Sequence, residues 1–147
     1  MGLWQPGHVS DVAKGFVGAL GREAVVGRAY NIVGDEIMDW RSFHERMANA
    51  IGHNANIVTM TTAQILAGAP ADQTWMLREI FQYHAAYSNA ALKRDVPEFR
   101  DLVRWEEGVR DTVRWLDDTK GHRDPITQPW IDRLAEAESG FRRSLAG

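Results

Sequence analysis

The chain has 147 residues and a formal net charge of −3, with 44% hydrophobic and 25% charged residues. That length is enough for one domain with a hydrophobic core, and the small negative charge gives no basis for binding nucleic acid or a membrane surface. The chain contains no cysteine, which excludes disulfides and thiolate chemistry. No apolar run approaches the ~20 residues that span a bilayer. Residues 1–7 also lack the basic and apolar regions of a signal peptide, so we expect a cytoplasmic protein.

The first predicted helix begins shortly after residue 7. Residues 1–7 are predicted to form a loop, and Ser10 or Asp11 is suited to cap the helix that follows. Apolar residues then recur at helical spacing along one face: Val9, Val12, Ala13, Phe16, Val17 and Leu20. Gly21 is expected to end this helix.

A strand, a turn and a second helix are predicted over residues 27–52. Residues 29–33 read AYNIV, a short apolar run that is typical of a strand buried on both faces. The GDE at residues 34–36 predicts a turn. Asp39 is suited to cap the helix, and Gly52 is suited to end it. The apolar residues at helical spacing between them are Trp40, Phe43, Met47, Ala50 and Ile51.

The middle of the chain is predicted to contain a further strand and two helices. Residues 56–60 read NIVTM, which favours a short strand. Thr61 or Thr62 is suited to cap a short helix that runs through Leu66. Residues 72–86 show partial helical periodicity and are predicted to be helical, with these apolar positions: Trp75, Met76, Ile80, Phe81 and Tyr83.

The C-terminal third is predicted to be helical. Residues 89–94 form a helical turn that Pro97 ends. A longer helix follows, with one face made by Trp105, Val109, Thr112, Val113 and Leu116. Residues 120–125 are a polar linker. Pro129 then suits the first position of a last helix, which is striped by Trp130, Leu134, Ala137, Phe141 and Leu145.

Four segments match family motifs in the correct order. The HVSDVA at residues 8–13 resembles an HVDDVA helix start, and residues 27–52 are similar to a VYNVG strand followed by a WRELA-type helix. The YSNAALKR at residues 87–94 is similar to a D-N-S-K segment, and the WEEGVRDTVRW at residues 105–115 resembles LEEGLRRTVEW. These motifs belong to the extended short-chain dehydrogenase/reductases, the NAD-dependent epimerase/dehydratase family. The chain resembles the C-terminal part of that family over roughly residues 4–118.

The resemblance implies a fold class and a division of the chain. It implies an α/β class: a mostly helical, partial Rossmann-type fold with two or three short strands. Residues 1–120 would be the C-terminal, substrate-binding portion of an epimerase/dehydratase-like domain, and residues 121–147 a linker and a C-terminal helix. No segment matches the N-terminal nucleotide-binding half, so the chain is expected to be truncated relative to the family.

The family's catalytic and cofactor motifs are not found in this sequence. A glycine-rich turn after a first strand cradles the dinucleotide pyrophosphate, and a tyrosine acts as acid/base beside a lysine four residues on. Gly15, Gly18 and Gly21 have GxxGxxG spacing but follow no strand, and no tyrosine has a lysine four residues later. We therefore assign no catalytic and no cofactor-binding residue. NAD or NADP is implied only for a complete family member.

Candidates for substrate binding come from the resemblance alone. Nucleotide-sugar members grip the diphosphate with arginines, because the guanidinium fork matches phosphate oxygens. The resemblance implies two such arginine positions. One falls at Trp4, so that contact is lost in this chain, and the other points to Arg78. Aromatic residues suited to an apolar or sugar-stacking pocket are Trp4, Trp75, Tyr83 and Tyr87. The alternatives are a surface ion pair for Arg78 and a core or interface role for the aromatic residues.

Three hypotheses for function follow. The first is the substrate-binding portion of an NAD(P)-dependent sugar epimerase, dehydratase or reductase-like enzyme, which acts on a small molecule and is not catalytically competent alone. The second is a free-standing homodimeric binding module, or a cofactor-free isomerase or cyclase derived from that fold. The third is an unrelated α/β domain. The first two need a missing N-terminal half or a second copy to cover the apolar strand. No nucleic acid, membrane or metal partner is expected.

Overall fold

The computed structural model of the chain describes residues 2–100, 102–122 and 128–146. These ranges contain six α-helices: α1 Val9–Ala19, α2 Trp40–Ala50, α3 Thr62–Gly68, α4 Ala90–Asp95, α5 Trp105–Thr119 and α6 Pro129–Ala146. One antiparallel sheet joins β1 Leu3–Trp4 to β2 Met38–Asp39. Short helical turns lie at Glu23–Val25, Ala71–Gln73 and Leu77–Phe81, the last of them a π-helical turn. The fold is therefore mostly helical with a small sheet, which agrees with a mixed α/β class.

The strands do not lie where the sequence predicts them. Residues 29–33 and 56–60 have no strand partner in the described part of the chain, so the prediction of strands there is wrong. The loop predicted over residues 1–7 is wrong at β1, where Leu3 lies opposite Asp39. A strand requires a neighbour that accepts and donates its backbone hydrogen bonds. Side-chain contacts hold residues 29–33 instead, since the Asn31 side chain donates to the Ser88 carbonyl (3.2 Å).

The best-buried core lies between α1, α4 and the extended segment 29–33. Leu92, Val96 and Phe99 are almost completely buried. The side chains that pack around them are Ala19, Val25, Tyr30, Ile32 and Leu102. Asn89, also buried, donates from Nδ2 to the Val33 carbonyl (2.9 Å). The core and this hydrogen bond together fix α1 and the segment 29–33 against α4.

The caps show which local predictions hold. Asp39 caps α2 by accepting from the Ser42 amide (2.7 Å), as predicted. Gly52 ends that helix with a φ of +80°, a conformation that favours glycine. The prediction of Ser10 or Asp11 as the cap of α1 is wrong. His8 is the cap and its Nδ1 accepts from the Ser10 amide (3.4 Å), whereas Asp11 is buried and accepts from the Val103 amide (2.8 Å).

The middle of the chain is helical over shorter stretches than predicted. Thr61 and Gln64 form a reciprocal capping box for α3, which runs through Gly68. In the predicted helix 72–86, only residues 72–73 and 75–81 are helical, and residues 82–86 are not. The chain leaves the helix there because the Ala85 amide donates to the Leu3 carbonyl (2.9 Å), beside the small sheet.

The C-terminal helix packs back onto the rest of the fold. Pro129 is its first residue, as predicted. A Cβ on Gly68 in α3 would collide with Leu134, and the Arg142 guanidinium donates to the Thr59 carbonyl (2.9 Å).

Within the predicted linker 120–125, residues 123–125 lie outside the described residues. No helix in the described ranges is long and apolar enough to cross a membrane.

Candidate functional site

A cleft of about 810 Å³ opens between the start of α1, α2 and α5. We call it the apolar cleft. Its walls are mainly hydrophobic side chains: Val9, Met47, Ile51, Val109, Val113 and Leu116. Small-molecule sites are usually concave, mostly apolar and roughly 300–1,000 Å³ in volume. The apolar cleft has the size and the lining of such a site.

One polar atom in the wall of the apolar cleft has no partner. The Trp105 indole Nε1 is buried and has no hydrogen bond in the described part of the chain. Its ring packs against Phe43 at a centroid distance of 4.5 Å. An indole nitrogen is only a donor, and a buried donor without an acceptor is unfavourable. Trp105 therefore carries a buried donor that no described residue satisfies.

A charged network fixes one end of the apolar cleft. Arg46 donates from Nε and Nη2 to the two oxygens of Glu106 (2.6 and 3.0 Å) and also pairs with Glu36. Glu36 accepts from the backbone amide of Trp105 (2.7 Å), the first residue of α5. These contacts join α2, the start of α5 and the loop at residues 34–37. The carboxylates are occupied, so they hold the wall of the cleft in place.

The pKa values agree with a structural role for this network. The hydrogen bond from Arg46 lowers the pKa of the Glu106 carboxyl to about 2, against the opposing effect of desolvation. The hydrogen bond to Glu106 raises the pKa of the Arg46 guanidinium above its ordinary value. Both groups are therefore charged at neutral pH. Neither group has the pKa of a general acid or base that works near pH 7.

A second cleft, of about 730 Å³, lies between α2, residues 57–61 and α6. We call it the polar cleft. Its lining includes Trp40, His44 and two arginines that are already paired. Arg41 pairs with Glu45 (3.1 Å), and Arg142 pairs with Glu138 (2.8 Å). Among the described residues, no group of three or more His, Asp or Glu side chains could hold a metal ion.

The substrate-binding residues predicted from the resemblance do not gather into one site. Trp4 stacks on Trp40 (5.3 Å between ring centroids) within an aromatic cluster that also includes Phe81. Arg78 donates to its neighbour Glu79 (2.7 Å) on the surface and lines neither cleft. The other three candidates are exposed and also lie outside both clefts: Trp75, Tyr83 and Tyr87.

The two faces of α1 have different surroundings. Its outer face, which we define as Val9, Ala13, Phe16, Val17 and Leu20, is exposed to solvent. Its inner face is made of small residues. A Cβ on Gly15 would lie 3.0 Å from Ile32 Cγ2, and one on Gly18 would overlap Val96. The glycine spacing of this helix therefore serves close packing against the core.

The sequence identifies two of the helical faces that line the apolar cleft but not the space between them. The apolar stripes of α2, which includes Met47 and Ile51, and of α5 are recognisable from their periodicity. The unpartnered nitrogen of Trp105 depends on tertiary packing, which periodicity does not describe. Sequence reasoning therefore missed this site, although Trp105 and Val113 are part of the predicted apolar stripe.

Comparison with known proteins does not assign a family. No protein-family model, no curated protein and no solved structure matches the chain. The functional inference therefore depends on the motifs, the two clefts and the outer face of α1.

Proposed function

We propose that the chain is the substrate-binding, C-terminal portion of an NAD(P)-dependent epimerase, dehydratase or reductase-like enzyme. In this proposal a nucleotide-binding half, in the same or another polypeptide, covers the outer face of α1. The observation that carries the proposal is that face, where four large apolar side chains are 62–78% exposed: Val9, Phe16, Val17 and Leu20. Apolar patches of this kind mark interaction surfaces on soluble proteins.

The choice of partner comes from the motif on the same helix. Residues 8–13 read HVSDVA, and in the family that they resemble, the corresponding helix packs on the nucleotide-binding sheet. In this chain the inner face of α1 already packs on the core, so its outer face is the one left for such a sheet. The motif and the exposed apolar face thus lie on the same helix, α1.

The extended segment 29–33 supports the same partner. It resembles the VYNVG strand, an outer strand of the nucleotide-binding sheet in that family. The Tyr30 hydroxyl donates to Asp95 (2.8 Å), and the Arg28 guanidinium also donates to Asp95 (3.0 Å), so the segment is held in place. The Val33 carbonyl is taken by Asn89, but residues 29–33 form no backbone–backbone hydrogen bond in the described part of the chain. Free backbone groups of this kind can pair with another strand. Ile32 of this segment lies against the inner face of α1, so the segment would be a second contact for the partner, apart from the outer face.

The apolar cleft adjoins the proposed interface. Val9 belongs to the outer face of α1 and also lines the cleft. A substrate in the cleft would therefore lie next to the half that carries the dinucleotide. The chain would supply binding and orientation, and the partner would supply the acid/base tyrosine and the cofactor.

A second copy of the chain is the alternative occupant of the outer face. A symmetric pair could bury the same side chains, because a two-fold interface places one patch against itself. The chain would then be a homodimeric binding module, or a cofactor-free isomerase or cyclase. Only a nucleotide-binding half would contain a dinucleotide-binding motif, so this motif distinguishes it from a second copy of the chain.

Site-specific photo-crosslinking can identify the occupant. Since the sequence has no cysteine, a Phe16→Cys variant has one thiol, which can be labelled with benzophenone maleimide and irradiated in an extract of the source cells. We expect mass spectrometry to find adducts with a polypeptide segment that contains a glycine-rich strand–turn–helix and a tyrosine–lysine pair. The matched control is Asn49→Cys, on the exposed side of α2, which should not capture that segment.

The contradicting results are equally specific. Adducts only with a second copy of the chain would replace the proposal with the homodimer. Adducts only with segments that lack a dinucleotide-binding motif would exclude the proposed partner.

A further inference from the structure

We propose that the polar cleft binds an organic monocarboxylate with an apolar or aromatic body, and that the guanidinium groups of Arg41 and Arg142 hold its carboxylate. This site is separate from the apolar cleft, which α2 also lines but with other residues. Ligand binding there does not depend on which molecule covers the outer face of α1.

Two arginines from different helices meet at one residue of the polar cleft. Arg41 of α2 donates from Nη2 to the Thr59 hydroxyl (2.5 Å), and Arg142 of α6 donates from Nη2 to the Thr59 carbonyl (2.9 Å). Thr59 itself lines the cleft, as do both arginines. The two guanidinium groups, and not only their aliphatic stems, therefore lie at the cleft.

Both guanidinium groups keep hydrogen-bond donors that the described part of the chain does not use. Arg41 donates to Glu45 and Thr59, and Arg142 donates to Glu138 and Thr59. A guanidinium has more N–H donors than these contacts use. Because the two side chains are 41% and 60% exposed, a ligand that enters from solvent can reach the remaining donors.

The charge of the polar cleft favours a single negative charge on the ligand. Its fully charged lining residues are Arg41, Arg142 and Glu138, so the described lining has a net charge of +1 when its histidines are neutral. Glu45, which pairs with Arg41 outside the lining, reduces this excess. The oxygens of a carboxylate match the guanidinium fork. One carboxylate balances the positive charge of the lining, whereas a phosphate dianion or a diphosphate exceeds it.

The other walls of the polar cleft favour an apolar or aromatic body on the ligand. The rings of Trp40 and Phe81 lie 5.1 Å apart, and the Trp40 indole nitrogen already donates to the Phe81 carbonyl (3.1 Å). These two rings therefore contribute apolar surface to the lining. Other apolar side chains of the lining are Ile57, Ile65 and Leu77. A hydrocarbon body gains free energy from the burial of its surface against such walls.

The test is a titration followed by the backbone amide signals in ¹H–¹⁵N NMR spectra. The ligands share a naphthalene body and differ in charge: 2-naphthoate, its neutral amide 2-naphthamide, and 2-naphthyl phosphate. At about pH 8 the histidines of the cleft are neutral and the phosphate ester is largely a dianion. We expect 2-naphthoate to shift the Thr59 and Ile65 signals in a saturable manner. The signal of Val113, which lines the apolar cleft, should not change.

The matched ligands measure the contribution of the charge. 2-Naphthamide should bind at least about tenfold more weakly than 2-naphthoate, because it loses the charge-assisted hydrogen bonds to the guanidinium groups. 2-Naphthyl phosphate should bind no more tightly than 2-naphthoate, because its second charge exceeds the positive charge of the lining.

Arginine variants locate the contact. Arg41→Gln and Arg142→Gln should each weaken 2-naphthoate binding about tenfold, because each removes a charged donor. The matched control is Arg133→Gln, which removes a positive charge from an exposed position of α6 outside both clefts and should not change the affinity. Since the Arg142 side chain is 60% exposed, Arg142→Gln keeps the test decisive if Arg41→Gln does not fold.

Each contrary outcome overturns a stated part of the proposal. Shifts confined to Val113 and its neighbours, or no saturable shift, would overturn the site. Equal affinity for 2-naphthamide, or unchanged affinity in both arginine variants, would exclude the guanidinium groups as the ligand contacts. Tighter binding of 2-naphthyl phosphate would overturn the single charge. The occupant of the outer face of α1 is decided separately, by crosslinking at Phe16.

Discussion

The two faces of α1 differ in both composition and surroundings. The inner face has small residues, and Gly15 and Gly18 let the helix backbone approach Ile32 and Val96 closely. The outer face has the large apolar side chains, and these lie in solvent. An amphipathic helix usually buries its large apolar residues and exposes its polar ones. The chain itself therefore packs against one face of α1 and leaves the other face exposed.

The largest contrast should come from two phenylalanines. Phe99 is only 1% exposed in the core, whereas Phe16 is 62% exposed on the outer face. Phe99→Ala should lower the free energy of unfolding by about 3–5 kcal/mol, because it leaves a cavity. Phe16→Ala should change it by less than about 0.5 kcal/mol in the isolated chain. Urea denaturation of both variants measures these effects, and equal effects would show that the outer face is packed within the chain.

The close approach at the inner face is tested by glycine substitutions. Gly18→Ala adds a methyl group that would overlap Val96, so we expect a loss of about 1–3 kcal/mol of stability. The matched control is Gly140→Ala in α6, where the nearest atom lies 3.9 Å away. That variant should gain about 0.4–1 kcal/mol, because alanine loses less conformational freedom on folding. Thermal or urea unfolding gives both values, and a neutral Gly18→Ala would refute the tight inner contact.

The Arg46–Glu106 pair, on α2 and α5, predicts a smaller, pH-dependent effect. The folded state lowers the pKa of Glu106 from 4.5 to about 2, so the pair stabilises the fold fully above about pH 4.5 and loses this effect as the pH falls toward 2. The side chains of Arg46 and Glu106 are 31% and 29% exposed. Allowing for solvent screening, Glu106→Gln should therefore cost about 1–2 kcal/mol at pH 7.

Urea titrations at pH 7 and pH 3 measure this dependence. The difference between the unmodified chain and Glu106→Gln should shrink at the lower pH. The control is Glu107→Gln, which changes the exposed neighbouring residue and should show no such change. A Glu106→Gln effect that is the same at both pH values would contradict an ionic role for the pair.

The sequence predicts the features whose causes are local. The helices α2, α5 and α6 follow from apolar periodicity, and Asp39 and Pro129 mark the starts of two of them because capping and the geometry of proline depend on neighbouring residues. The cap of α1 was missed because histidine is not a usual capping residue, although its ring nitrogen accepts the same hydrogen bond. The two-residue strands β1 and β2 are too short to show any period.

The remaining features depend on distant contacts. Residues 29–33 have the composition of a strand, but a strand also needs a neighbour, and no described residues provide one. The stripe on the first helix is evident in the sequence, whereas its exposure follows from the small residues on the opposite face. The apolar cleft depends on how α2 and α5 diverge from α1, and no single segment determines that geometry.

The central claim is that the outer face of α1 is a surface for a nucleotide-binding half. The most direct measurement is the solution mass of the isolated chain by light scattering over a range of concentrations, beside Phe16→Glu. We predict broad, concentration-dependent association for the unmodified chain and a monomer for Phe16→Glu, with unchanged thermal unfolding, because the charge acts only on an exposed apolar face. A monodisperse monomer of the unmodified chain at high concentration, or a clean dimer that Phe16→Glu does not dissociate, would contradict the claim.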